Sequence, residues 1–329
     1  MKAYLPKESL VPLLEAINRH MEVIAPIEVE GTTVFSSWKG EPLALKENPL
    51  LPPQEFLLPQ RDVLFRYVQD CGRYTFTETD PKPRLIFGVR PCDLKALAVL
   101  DKLFGADPPD RPYFEKRRST ALVGLNCIHT EENCFCSSLG AGPQCQDLFD
   151  LQLTDIGEGF LAETGSPAGI LILKEYPEFF LEPQEEQISK KNELMEKAKE
   201  AMHSPERRSL VQIQESIEKA DWEALGRQCL NCGSCTFVCP VCHCFTILDL
   251  GVPDGERMRC RDTCLLSGFS RMTGGSNPRK GQGERMQNWY LDKFDYILKK
   301  TGMPGCVGCG RCSKVCLAET DRWKLEASK

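Results

Sequence analysis

The stretch "CLNCGSCTFVCPVCHCF" (229–245) places six cysteines in seventeen residues. Cys229, Cys232, Cys235 and Cys239 follow C-x2-C-x2-C-x3-C with Pro240 next, and "CVGCGRCSKVC" repeats the spacing at Cys306, Cys309, Cys312 and Cys316. A four-iron, four-sulfur cubane needs one thiolate per iron, and cysteines three residues apart let a single loop reach three corners. Gly233 and Gly310 supply the tight backbone of such a loop, and Pro240 suits a helix start behind the fourth ligand. Structural zinc fits this pattern poorly, because zinc ribbons pair two C-x2-C knuckles across a longer loop.

In two-cluster ferredoxins the fourth cysteine of each motif ligates the other cluster. That rule groups Cys229, Cys232 and Cys235 with Cys316, and Cys306, Cys309 and Cys312 with Cys239. The 66 residues between Cys239 and Cys306 exceed a minimal ferredoxin insert, and "NWYLDKFDYILKK" (288–300) has helical spacing. A helix-rich ferredoxin domain over 226–329 is therefore expected.

Cys242 and Cys244, flanking His243, are left over. In an extended segment the two thiols face one way, and Cys260 and Cys264 share a face if their segment is helical. These four form a candidate fourth metal site. The competing reading has them surrounding the clusters and hydrogen-bonding to cluster sulfur.

The chain has 329 residues, enough for about two domains. Its N-terminus lacks the apolar core of a secretory signal, and no apolar run approaches the roughly 18 residues of a spanning helix, so it reads as cytoplasmic. Eighteen cysteines in a reducing compartment point to metal rather than disulfides. The net charge of −6 is uneven: residues 226–316 hold 13 Lys and Arg against 7 Asp and Glu, leaving −12 on the rest. Basic stretches such as 257–261 and 277–285 could meet nucleic acid, but no aromatic platform or nucleic-acid motif accompanies them. Compensation of anionic clusters explains the excess better, and no nucleic-acid partner is expected.

Residues 1–180 read as an α/β domain. Strand candidates are 33–38, 74–79, 84–89, 121–126 and "GILIL" (169–173). "LVPLLEAINRH" and "DLKALAVLDKLF" have helical spacing, the second with Asp93 as its expected cap. Residues 181–225 read as a charged helical connector. Cys92 stands at one strand-to-helix turn and Cys127 at another strand end, with Cys134 and Cys136 close behind, at the sheet edge where α/β folds gather ligands. The four could hold a further cluster or a zinc ion, or be small buried residues. Cys71 and Cys145 lack paired spacing, and His129 reads as an ordinary hydrogen-bonding histidine.

Together "PPQEFLLPQRDVLF", "GVRPCDLKAL", "VGLNC", "CFCSSLGAGP", "RMRCRDTC" and the two ferredoxin motifs resemble the beta subunit of soluble sulfhydrogenases and the four-iron dicluster electron-transfer subunit of anaerobic sulfite reductases. The resemblance spans nearly the whole chain, with departures at Arg261, where the family tends to have Trp, and at Leu317 after Cys316. It implies an electron-transfer subunit lying between two others, one flavin-containing and NAD(P)H-binding, the other a catalytic redox subunit. It also favours a third four-iron cluster at Cys92, Cys127, Cys134 and Cys136. No dinucleotide fingerprint, phosphate loop or Ser-His-Asp spacing argues for catalysis. The alternative is a catalytic subunit whose N-terminal cluster leaves one iron open, with His129 as a non-cysteine ligand.

Overall fold

The computed structural model describes residues 1–78, 80–146, 148–202 and 209–318. The strands are β1 (Lys2–Pro6), β2 (Glu22–Val29), β3 (Thr32–Ser37), β4 (Arg61–Asp70), β5 (Arg73–Glu78), β6 (Arg84–Val89), β7 (Thr120–Leu125), β8 (Leu151–Asp155), β9 (Gly159–Thr164), β10 (Phe245–Leu250) and β11 (Gly255–Arg261). Seven form one sheet in the order β1-β9-β8-β7-β6-β2-β3, in which β2, β6, β7 and β8 run parallel.

Alternation along the central strands makes this sheet the middle of a sandwich. Leu85 and Phe87 turn to one core with Leu13 and Ile17 of α1 (Leu10–Asn18), while Ile86 turns to another with Leu94 and Leu97 of α2 (Pro91–Phe104) and Tyr113 of α3 (Arg111–Arg118). The N-terminal region is thus the α/β fold expected. Its parallel strands β6 and β7 end side by side, so Cys92 and Cys127 emerge at the same sheet edge.

Two local expectations differ. "GILIL" lies in a helix, α4 (Pro167–Glu175): Ser166 caps it by accepting from the Ala168 and Gly169 amides, and Pro167 opens it. Its apolar run mimics a strand because five residues are too few to separate the two periods. Asp93 does not cap α2; Arg90 holds that position and Asp93 lies in the first turn.

Helices α5 (Glu185–Met202), α6 (Leu210–Lys219) and α7 (Trp222–Gln228) lead to the cysteine-rich region. There the short α8 (Ser234–Phe237) and α11 (Arg311–Lys314) follow the two motifs, and α9 (Gln282–Leu291) runs through a π-helical turn (Asp292–Tyr296) into α10 (Ile297–Thr301). The second sheet, in the order β10-β11-β4-β5, pairs strands of the 245–261 region with strands of residues 61–78. It is anchored beneath by Arg259, whose buried guanidinium bridges Asp62 (2.8 Å) and Asp110 (2.6 Å). No described helix is long and apolar enough to cross a membrane.

Candidate metal centres

The two ferredoxin motifs have the same backbone. In each C-x-x-C the residue before the second cysteine is left-handed, Asn231 (φ 55°) and Gly308 (φ 64°), and so is the glycine after it, Gly233 (φ 75°) and Gly310 (φ 74°). This double reversal turns the Asn231 amide onto Cys229 Sγ and the Gly308 amide onto Cys306 Sγ, both at 3.4 Å. Amides aimed at sulfur are what a cluster-bound thiolate requires.

Cys306, Cys309 and Cys312 line a cavity together with Cys239 from the first motif, with Trp289 and Lys293 in its wall. Cys235 lies within electrostatic reach of Cys312, so the two motifs adjoin. Among the described residues, no three His, Cys, Asp or Glu side chains converge closely enough to hold one metal ion. A single zinc would draw its sulfurs to roughly 3.8 Å of one another, whereas four thiols spread around a cavity suit the corners of a cubane.

Lys293 is 2% exposed and donates to Cys239 Sγ (3.1 Å), Cys242 Sγ (3.5 Å) and the Gly305 carbonyl (3.3 Å). Burial alone would lower its pKa, but Cys239, Cys242 and Cys306 outweigh that and hold it well above the ordinary lysine value. It sits in the π-helical turn, a distortion frequent at functional sites.

Three of the four leftover thiols adjoin, with Cys242 within electrostatic reach of Cys244 and Cys244 hydrogen-bonded to Cys264. Cys242 donates to Cys239 and Cys244 accepts from Cys264. Cys260 lies on β11 opposite Thr246, and Cys264 falls beyond that strand, so the helical condition under which the two would share a face is not met. Cross-strand pairing with β4 and β10 takes up the backbone that a helix would have used.

The N-terminal cysteines meet the second motif. Cys92 lies in the first turn of α2 and Cys127 follows β7, as their strand ends suggested. Cys136 is within electrostatic reach of Cys92, and Cys127 of Cys134; both Cys92 and Cys134 also sense Cys309. Burial pushes the Cys92, Cys127 and Cys134 thiols up, the last to about 11. His129 is exposed.

The loops interlock through backbone. The Phe135 amide donates to the Gly308 carbonyl (2.9 Å), and the Cys134 thiol approaches the Cys309 carbonyl (3.7 Å). A Cβ on Gly308 would come within 2.7 Å of the Cys136 backbone, so glycine serves both the turn and the approach. Beside this contact Arg311, 3% exposed, forks onto the fully buried Asp93 (2.6 and 2.8 Å) and reaches the Pro49 carbonyl and Asn48. Sequence reasoning missed Arg311, Asp93 and Lys293. The available signal was charge set inside or beside cysteine motifs, "CGRC" and "PCDL". Arg259, Arg285, Arg311 and Lys293 from the basic region all have interior partners, so much of its excess is structural.

A family model described as a 4Fe-4S dicluster domain matches residues 228–320. Over 322 residues the chain is 34% identical to sulfhydrogenase 2 subunit beta of Pyrococcus furiosus, covering 94% of each chain. No solved structure matches. With paired ferredoxin loops at its centre and likeness along nearly its whole length, the chain belongs to the sulfhydrogenase beta-subunit family, as an iron–sulfur electron-transfer protein.

Proposed function

We propose that the chain relays electrons between a flavin-containing, NAD(P)H-binding partner and a catalytic redox subunit, through three four-iron clusters. Cys229, Cys232, Cys235 and Cys316 would hold the first, Cys306, Cys309, Cys312 and Cys239 the second, and Cys92, Cys127, Cys134 and Cys136 the third. Such clusters supply one-electron carriers; the chain's part is to space, bury and electrostatically tune them. The observation that carries the reading is the interlock of residues 134–136 with 308–309, which sets the N-terminal thiols against the second motif. Cys235 beside Cys312 continues the line to the first motif. Cys242 and Cys244 would serve as thiols around the clusters, since each hydrogen-bonds to another cysteine.

The test is stopped-flow reduction under anaerobic conditions. The isolated chain should be reduced by dithionite and remain oxidised with NADH or NADPH, becoming reducible by one of them once the flavin partner is added. Rapid reduction by a nicotinamide without any partner would overturn the relay.

A further inference from the structure

The second sheet leaves an apolar face that the relay does not use. β5 is its outer strand, every residue from Arg73 to Glu78 is exposed, and among the described residues no strand pairs with its far edge. Tyr74 and Phe76 are 51% and 61% exposed, and the register sets Phe76 opposite Tyr67 of β4. Phe65 meets Phe76 edge-on at 5.4 Å, and Tyr74 stacks along Phe76 at 6.4 Å. With Val252 at the β10–β11 turn, 93% exposed, these rings line an open groove of about 450 Å³.

Charge and area say what covers it. The charged residues lining the groove, Asp249 and Arg257, close on each other in a two-pronged pair (2.6 and 2.7 Å), so it offers no net charge to a charged ligand. Taking roughly 150–250 Å² for a whole aromatic side chain, the apolar surface left open is on the order of 500 Å². That is near the largest patch an ordinary monomer shows, and with the peptide edge of β5 it approaches the ~800 Å² per partner of a standard interface.

We infer that this face docks another subunit of the oxidoreductase, through an uncharged, extended apolar segment that adds to the β5 edge. Backbone pairing along β5 would supply affinity, and alternate side chains seated on Phe65, Tyr67, Tyr74 and Phe76 would supply selectivity. The inference rests on the relay reading only in needing partner subunits.

The test purifies the native complex anaerobically through a tagged chain carrying Phe76→Asp, or Tyr74→Thr as a variant that keeps strand preference. Subunits are counted by native mass spectrometry, with iron per chain and cluster spectra as the check on folding. The expected result is at least a tenfold loss of one identified partner with iron unchanged, while Leu171→Asp, an exposed position on α4, leaves the complex whole. A complete complex with Phe76→Asp would overturn the surface and leave the relay standing. A wild-type homodimer that Phe76→Asp separates, with partners still bound, would assign the face to a second copy and overturn the subunit proposal. A wild-type chain that purifies with no partner would overturn the relay together with this surface.

Discussion

At the scale of single residues, buried charge beside cysteine is the controlling feature. The buried Lys293 donates to Cys239 Sγ. A cation there favours the more negative, reduced cluster, so Lys293→Met should lower one cluster potential by on the order of 100 mV. Potentiometric titration followed by electron paramagnetic resonance reads this, with iron content held as the control. Asp93 neutralises Arg311 inside the junction. Asp93→Ala strands a buried guanidinium and should cost about 3–5 kcal/mol, measured as a fall in the thermal midpoint with preferential loss of the N-terminal iron. Glu55 gives the pH dependence: burial pushes its carboxyl up to about 7, against the pull of Arg261. Its folded value lies above its ordinary value, so ionisation opposes folding, and the penalty grows as pH rises from about 4.5 to 7. Glu55→Gln should therefore match wild type near pH 4.5 and gain on it by pH 8. Allowing for its partial exposure, the gain is about 1–2 kcal/mol, read from thermal midpoints at the two pH values.

Between elements, what decides the site is how closely two loops approach. Gly308 carries a left-handed φ and has the Cys136 backbone where a Cβ would stand. Gly308→Ala should push the 134–136 loop away and weaken iron retention at the N-terminal cysteines, while the first motif keeps its spectrum; iron analysis before and after gel filtration distinguishes the two. The elements themselves were unevenly legible. Both ferredoxin loops could be read because spacing and glycine specify them locally, and β6, β7, α1 and α2 because each carries a clear period. "GILIL" was misread because its deciding residues, Ser166 and Pro167, stand just outside the apolar run. The helix that Cys260 and Cys264 would need to share a face is absent because β11 is fixed by its partners β4 and β10, and nothing within 255–261 announces a pairing with residues 61–67.

Over the whole molecule, the two cysteine-rich regions form one connected body. The second sheet draws two strands from each side of the connector, Arg259 ties it to Asp62 and Asp110, and Arg311 ties the second motif to Asp93. None of these long-range links has a sequence period, which is why the cysteine motifs were readable and their junction was not. The uneven charge becomes intelligible at this scale, since several cations of the basic region face carboxylates or carbonyls of the chain's own interior. In the proposed relay the junction completes a third cluster on the line of the other two. Iron and acid-labile sulfide analysis of the anaerobically reconstituted chain, wild type beside Cys127→Ser, decides whether that cluster forms. Three cubanes predict about 12 irons per chain in the wild type and about 8 in the variant, with the signals of the two ferredoxin motifs retained. About 8 irons in both would contradict it.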